Sequence, residues 1–146
     1  MPIQVPRSKF LGITTFASDG GSTNSVTAVN LNAGAWNYTP KSANSRLILT
    51  VSGQCSCTAL GSTAGYNYFW IGENTGAWNV RSAAAPLQVQ QYSTTYGEQI
   101  YAPLHIQCEI ANTALTTRQF DIMGAAWNAA VTAGAAGILT ITEIAN

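Results

Sequence analysis

Apolar and polar residues alternate with a period of two along most of this chain. Between residues 46 and 52, the apolar side chains Leu47, Leu49 and Val51 fall on one face. Residues 104–110 repeat the pattern: one side carries Leu104, Ile106, Cys108 and Ile110, and the other carries His105, Gln107 and Glu109. Because side chains two residues apart in a strand share a face, this pattern predicts half-buried β-strands.

Other short segments complete an all-β pattern. They are rich in β-branched and aromatic residues, and they span residues 25–31, 66–71, 87–92, 118–124 and 138–144. Turn-forming stretches of Gly, Pro, Asn and Ser separate them, at residues 18–24, 38–45, 61–65, 72–79 and 82–86. Many short strands with such turns and no helical period predict an all-β fold, an antiparallel β-sandwich or barrel.

The Ala-rich segment 124–137 is the one stretch in which a short helix is an alternative. Its three glycines and the lack of a capping pattern disfavour that helix. Small side chains there would instead allow two backbones to approach closely, for example near a symmetry axis. We therefore expect this segment to belong to the β-domain.

The first ten residues are predicted to form an extended arm, followed by one β-sandwich domain over residues 11–146. Two prolines in the first six residues disfavour a central strand. The apolar side chains Ile3, Val5 and Phe10 need a cover, which a neighbouring subunit would provide. Simple fraying of the terminus is the alternative.

Charge is scarce in this sequence. Charged residues make up 8% of the 146 residues and the formal net charge is +0, against roughly 25% charged residues in typical soluble domains. A surface with so little charge favours association, so we expect much of it to be covered by partners. The basic residues do not cluster, which argues against nucleic-acid binding; they are Arg7, Lys9, Lys41, Arg46, Arg81 and Arg118.

Hydropathy predicts neither membrane insertion nor export. No apolar run approaches the roughly 18 residues of a transmembrane helix, and the first ten residues lack the apolar region of a secretory signal. We therefore expect the protein to be made in the cytoplasm and used without Sec export.

The three cysteines are candidates for metal binding, but strand geometry points to packing. Cys55 and Cys57 share one face of a strand, where they are too parallel for an unstrained disulfide. An odd total without export favours free thiols, and Cys108 on an apolar face acts as a small hydrophobe. With His105, the three supply zinc-type ligands, but the spacing is wrong and His105 falls on the face opposite Cys108. We predict no metal and no cofactor.

Sequence signals for catalysis are weak. His105 is the one histidine, and no G-x-S-x-G nucleophile elbow accompanies it. Nothing pairs the six carboxylates as glycoside hydrolysis would need. We therefore predict that the protein is not an enzyme and rank a small hydrolase last among the alternatives.

The tryptophans give a stronger signal. Trp70 is predicted to belong to the core. Trp78 and Trp127 lie among Gly, Ala and Asn, a context in which the ring can be exposed. Exposed Trp and Tyr favour a protein interface or a platform on which sugars stack.

Two passages resemble small structural proteins of tailed bacteriophages. Residues 39–52 are similar to the P-x-S-x-x-S-[KR]-[IL]-L stretch of that family, through Pro40, Ser42, Ser45, Arg46, Leu47 and Leu49. Residues 137–146 resemble the final strand of such proteins, through Leu139, Ile141, Glu143 and Ile144. The middle of the chain resembles that family only in its general character and shares no motif with it.

The resemblance implies a jelly-roll β-sandwich that works as a homo-oligomer, with a trimer favoured over a dimer. It implies a cement (decoration) protein on the exterior of the virion, which binds the major capsid protein of the head and stabilises the shell. A receptor-binding fibre tip or lectin-like carbohydrate-binding module is the alternative. Candidate shell-docking residues are Ile3, Val5, Arg7 and Phe10, and candidate subunit-interface residues are Trp78 and Trp127.

Overall fold

The computed structural model describes residues 8–18, 20–31, 35–59, 65–89, 99–126 and 131–146. These residues form an all-β fold, as the alternation predicts. The strands are β1 Lys9–Ala17, β2 Gly21–Thr23, β3 Val29–Asn30, β4 Trp36–Tyr38, β5 Ser45–Ala59, β6 Gly65–Asn74, β7 Trp78–Val80, β8 Ala85–Val89, β9 Gln99–Asn112, β10 Arg118–Ala126 and β11 Val131–Ala145. Within the described ranges, no helix has the length and apolar character needed to cross a membrane.

The strands form two antiparallel sheets that pack face to face. The five-stranded sheet has the order β1-β11-β5-β9, with β2 also paired to β11. The six-stranded sheet has the order β3-β10-β6-β7, with β4 paired to β10 and β8 to β6. The expectation of an antiparallel β-sandwich is confirmed.

Strand pairing is nested from the two ends of the chain towards its middle. The first strand pairs with the last, β3 and β4 pair with β10, β5 pairs with β9, and β6 pairs with β8. Contacts between residues far apart in sequence therefore dominate the fold, and both chain ends meet in one sheet.

The core lies between the inward faces of the two sheets. Leu47, Leu49 and Val51 are fully buried on β5, as their spacing predicts. Phe69 of β6 and Phe120 of β10 are likewise fully buried and belong to the same cluster. Each such side chain stabilises the fold by about 1.5–3 kcal/mol relative to an exposed position.

Cys55 and Cys57 continue the inward face of β5, where both are buried. The prediction that they share a face is confirmed. Their partners in the neighbouring strand are Ala135 and Ala133. The thiols therefore act as medium-sized apolar side chains beside small alanine side chains. All three cysteines carry free thiols.

The Ala-rich segment forms strands and no helix in its described part. Residues 124–126 end β10 and residues 131–137 begin β11, while residues 127–130 lie outside the described ranges. Gly53 and Gly137 face each other in the pairing of β5 with β11. A Cβ atom on Gly53 would overlap the carbonyl oxygen of Ala136, and one on Gly137 would lie 2.8 Å from that of Ser52. The small residues thus permit close approach of two backbones within one chain.

Some predicted boundaries differ from the structure. The strand predicted over residues 25–31 reduces to Val29–Asn30, and the predicted turn at 18–24 contains strand β2, which pairs with the small-residue part of β11. Strand β1 begins at Lys9. Residues 1–7 lie outside the described ranges, so the boundary between arm and domain stays a prediction.

Candidate functional site

The outward surface of β1 and β11 carries three of the eight exposed large apolar side chains among the described residues. Phe10 is 60% exposed, Ile13 is 58% exposed and Ile138 is 50% exposed. We call this surface the β1–β11 face; its members are Phe10, Ile13, Thr15, Ala17, Ile138, Thr140, Thr142 and Ile144. The two strands place them side by side, because Phe10 pairs with Ile144, Ile13 with Thr142 and Ala17 with Ile138.

Threonine and isoleucine alternate with inward residues along this part of β11. Both residue types are β-branched and favour extended backbone. Threonine also carries a hydroxyl group, which remains compatible with water. The fully buried Leu139 and Ile141 occupy the intervening positions. The same periodicity that builds the core therefore also builds an outward face of Ile and Thr.

The β1–β11 face contains no charged residue. The nearest charged positions across the sheet are Arg46, which pairs with Ile144, and Glu109, whose carboxylate lies 3.1 Å from the Arg46 guanidinium. These two charges compensate each other at the margin. Exposed apolar patches with a polar rim mark interaction sites, and this one can be covered without removing a charge from water.

Of the four residues predicted to dock on a shell, the structure describes one, Phe10. Phe10 lies on the β1–β11 face, where it is 60% exposed. Ile3, Val5 and Arg7 lie outside the described residues. Ile13 and Ile138 were not singled out from the sequence, although their outward positions in alternating Ile/Thr segments are a usable signal.

The predicted subunit-interface residue Trp78 lies on the other sheet. It pairs with Asn74 of β6 and is half-buried. A Cβ atom on Gly72 would lie 3.5 Å from its Cε3 atom, so the ring covers that glycine. Trp78 and Phe10 therefore occupy opposite outer faces of the sandwich. Trp127 lies outside the described residues.

Trp70 is not a core residue, so that prediction is wrong. Phe69 and Ile71 on either side of it are fully buried, and strand alternation therefore turns Trp70 outward with Tyr68. Their ring centroids are 6.0 Å apart with an interplanar angle of 24°. The stack leaves both rings half-buried on the surface of the six-stranded sheet.

Glu143 is a fully buried carboxylate held by neutral donors. It accepts hydrogen bonds from the Tyr38 hydroxyl at 2.6 Å and the Ser45 hydroxyl at 2.7 Å. The backbone N–H groups of Lys41 and Ser42 donate to it at 2.8 Å and 3.0 Å. The Lys41 ammonium instead donates to the carbonyl of Leu11. Burial raises the pKa of Glu143, but these hydrogen bonds outweigh it and hold the pKa below its ordinary value.

Glu73 is a buried carboxylate held by two arginines. Arg118 donates from Nε at 2.6 Å and from Nη2 at 2.9 Å, and Arg81 donates from Nε at 2.8 Å. Burial raises the pKa of Glu73, whereas Arg118 and then Arg81 lower it, and the net shift is downward. Arg118 also donates to the carbonyl of Ala111 and lies over the ring of Phe120. Its donors are engaged within the fold, which makes the triad structural.

Ser52 and His105 are neighbours across β5 and β9. The Ser52 hydroxyl lies 3.3 Å from Nδ1 of His105, and both residues are exposed on the outward surface of the sheet. Nucleophilic catalysis needs a third group that orients the imidazole. No carboxylate among the described residues hydrogen-bonds His105, and the nearby Glu109 pairs with Arg46. The pair is therefore a polar contact without an orienting acid in the described structure.

The thiols lie apart from the histidine. Burial raises the pKa values of Cys55 and Cys57, and it raises that of Cys108 to about 11. His105 points outward from β9 while the neighbouring Leu104 and Ile106 are buried. Within the described ranges, no three residues of the Cys, His, Asp or Glu types come together as metal ligands. The structure thus separates the four candidate zinc ligands.

No model of a known protein family matches the chain, and no curated protein matches it either. Function is therefore argued from the fold and from its exposed surfaces. Of these, the β1–β11 face is the one that combines apolar exposure, regular geometry and absence of charge.

Proposed function

We propose that this protein is a structural protein of a tailed-bacteriophage particle, a decoration protein that binds the outside of the head. The observation that carries the proposal is the β1–β11 face, on which Phe10, Ile13 and Ile138 are at least half exposed. Such a face adheres to another protein surface by burying apolar area. Its partners in the proposal are the major capsid protein and further copies of this chain.

The nested strand pairing supports the jelly-roll part of the proposal. A jelly roll is a double-sheet fold made of two Greek keys, in effect a long hairpin rolled into a sandwich. In this chain, β1 pairs with β11, β5 with β9 and β6 with β8. That order is the one expected when such a hairpin is rolled up.

Glu143 supports the resemblance from which the proposal started. The two passages that resemble phage structural proteins lie about 100 residues apart in sequence, and they meet at this carboxylate. Ser42 and Ser45 of the first passage both hydrogen-bond to Glu143 of the second. The residues shared with that family therefore have a common structural task.

The proposed mechanism is thermodynamic linkage. A protein that binds only the assembled shell stabilises that shell by mass action. A homo-oligomer, for which we propose a trimer, places several copies of the β1–β11 face on neighbouring capsid subunits. Avidity then multiplies weak single contacts by large factors.

The direct test of the proposal is the location and copy number of the protein in purified particles. Quantitative mass spectrometry of fractionated virions should find many copies on each head. A handful of copies per particle would indicate a fibre tip instead of a decoration protein. Absence from particles would overturn both interpretations.

The second test addresses the docking face. The double variant Ile13→Ser/Ile138→Ser should lower binding to heads that lack this protein by more than about tenfold, because two exposed anchors are lost. Val26→Ser is the matched control, since Val26 is 62% exposed and outside the face. Equal binding by the double variant and the control would exclude the β1–β11 face as the docking surface.

A further inference from the structure

A groove of about 350 Å³ opens on the same outward surface of the five-stranded sheet, beyond Ile138 along β11. One cross-strand row spans it. Ser22 of β2 pairs with Gly134, Gly134 pairs with Ser56, and Ser56 pairs with Tyr101 of β9. The groove is therefore built by four strands of one sheet.

The side chains in this row explain why the surface is concave. The two central strands contribute Gly134, which has no side chain, and Ser56, which has a short one, and the margin carries the large ring of Tyr101. A Cβ atom on Gly134 would lie 2.6 Å from the Ser56 hydroxyl oxygen. Glycine therefore suits this position of the floor, since a larger residue would require the Ser56 hydroxyl to move.

Tyr101 is held at the margin by a short hydrogen-bond chain. Its hydroxyl donates to Oε1 of Gln99 at 2.7 Å, and Nε2 of Gln99 donates to the Ser56 hydroxyl at 3.3 Å. The ring is nevertheless 55% exposed. An aromatic ring fixed in place and open to solvent can receive a ligand at little cost in side-chain entropy.

The described residues that line the groove carry only uncharged polar groups. They include no carboxylate, guanidinium, ammonium or imidazole, and their side-chain hydrogen-bonding groups include the amides of Gln54 and Gln99 and the hydroxyl of Ser22. An amide both donates and accepts hydrogen bonds, as a sugar hydroxyl does. Within the described part of the chain, the Gln54 side chain makes no hydrogen bond, so its amide is available to a ligand.

We infer that this groove binds a neutral saccharide of one or two units. The apolar C–H face of the sugar packs on the Tyr101 ring, and its hydroxyls hydrogen-bond to Gln54, Gln99 and Ser22. A phosphate or carboxylate ligand finds no cation among the described lining residues, and a purely apolar ligand would leave the amides desolvated and unpaired. The volume lies at the lower end of the range for small-molecule sites.

The groove is distinct from the docking face. Tyr101 belongs to β9, at the opposite edge of the sheet from β1, and Phe10 and Ile13 lie on β1. Saccharide binding would therefore add a second activity to a protein whose β1–β11 face is proposed to bind other proteins. The inference stands on the groove alone and does not depend on the proposed function.

Binding should first be measured with the full-length protein on an array of neutral and acidic oligosaccharides. Hits should then be titrated by calorimetry and ligand-observed NMR. We expect saturable binding of neutral glycans in the micromolar-to-millimolar range. Absence of binding to every neutral glycan at millimolar concentration would overturn the inference, and so would binding restricted to acidic glycans.

Variants locate the site. Tyr101→Ala should weaken binding by about tenfold or more, the usual effect of losing an aromatic anchor, whereas Tyr101→Phe should weaken it only a few-fold. Leu115→Ala is the matched control, because Leu115 is 57% exposed and lies outside both the groove and the β1–β11 face. It should leave binding unchanged.

The Gln54→Ala variant tests the same binding site independently of Tyr101. This residue is exposed, so its replacement leaves the core intact even if Tyr101→Ala fails to fold. A several-fold loss of affinity is expected. The inference would be contradicted if Gln54→Ala, Tyr101→Phe and a folded Tyr101→Ala all bound the sugar with full affinity. The sugar would then bind elsewhere.

Discussion

At the scale of single residues, the two buried carboxylates Glu73 and Glu143 are stabilised in different ways. Glu73 is neutralised by two guanidinium groups, so breaking its pairs leaves a buried charge. Glu143 is solvated by hydroxyl and N–H donors from the end of β4, the start of β5 and the connection between these strands. It ties that connection to the last strand, and we expect it to be the most sensitive polar residue in the fold.

The Glu143→Gln variant tests this role. The amide nitrogen would replace one of the two carboxylate oxygens. It would then face either the Tyr38 hydroxyl and the Lys41 N–H, or the Ser45 hydroxyl and the N–H groups of Lys41 and Ser42, and these N–H groups cannot accept a hydrogen bond. We expect a loss of about 3 kcal/mol in the free energy of unfolding, the cost of leaving several buried partners unsatisfied. Urea denaturation at neutral pH measures it.

Glu109→Gln is the matched control for that substitution. Glu109 pairs with Arg46 at the surface, with about half of its side chain exposed, and exposed pairs contribute about 0–1 kcal/mol. Its replacement should change stability by less than about 1 kcal/mol. A similar loss in both variants would mean that Glu143 has no special structural role.

Acid sensitivity is a second prediction at this scale. The pKa values of Glu73 and Glu143 are lowered in the folded protein, while the unfolded chain titrates near the ordinary value of about 4.3. The unfolded state then binds more protons as the pH falls, so folding loses stability. The stabilisation is complete above about pH 5 and declines as the pH falls through the ordinary value towards the folded pKa values.

Urea denaturation between neutral and acidic pH should show this decline. The Glu143→Gln variant should decline less steeply, because one depressed carboxyl is gone. Equal slopes in both proteins, or stability that rises on acidification, would contradict the pKa directions.

At the scale of elements, strand periodicity is readable from the sequence because it is local. Spacing alone predicts that Leu47, Leu49 and Val51 point inward. It also predicts that Cys55 and Cys57 lie on the same face. The cage around Glu143 does not, because its donors lie 98 to 105 residues away in sequence. Trp70 lies outside the core, against the prediction, because strand alternation turns it outward between the buried Phe69 and Ile71.

Contact between β5 and β11 gives the prediction at this scale. In Gly53→Ala, the added methyl group would overlap the backbone of Ala136. Because backbone on a central strand cannot swing aside, we expect a loss of about 3 kcal/mol in the free energy of unfolding. Chemical denaturation and amide hydrogen exchange along β5 and β11 would detect it.

Gly76→Ala separates packing from backbone conformation. Gly76 has a φ of 101° but no atom within 4 Å of the added Cβ, so only conformational strain of about 1–2 kcal/mol is expected. If Gly53→Ala costs no more than this control, the two strands can move apart and the close approach is not a constraint.

At the scale of the whole molecule, side chains tie the two sheets together in addition to the core. The Trp36 indole of β4 donates to the carbonyl of Ala17 at 3.0 Å, and the Asn67 amide of β6 donates to Ser56 and Thr132 in the facing sheet. A sandwich linked in this way should open as one unit. The cysteines lie between or beside the sheets and can report that opening.

Thiol labelling therefore tests cooperativity. Burial shields Cys55 and Cys57, and the pKa of Cys108, raised to about 11, leaves little reactive thiolate near pH 8. A disulfide reagent should label all three thiols at once in denaturant. In the native protein it should label Cys55 and Cys57 slowly and at a common rate set by global unfolding. Gly53→Ala should speed the labelling of both by the same factor by which it raises the unfolding constant. Fast labelling of Cys57 alone in the native protein would show that the sheets separate locally instead.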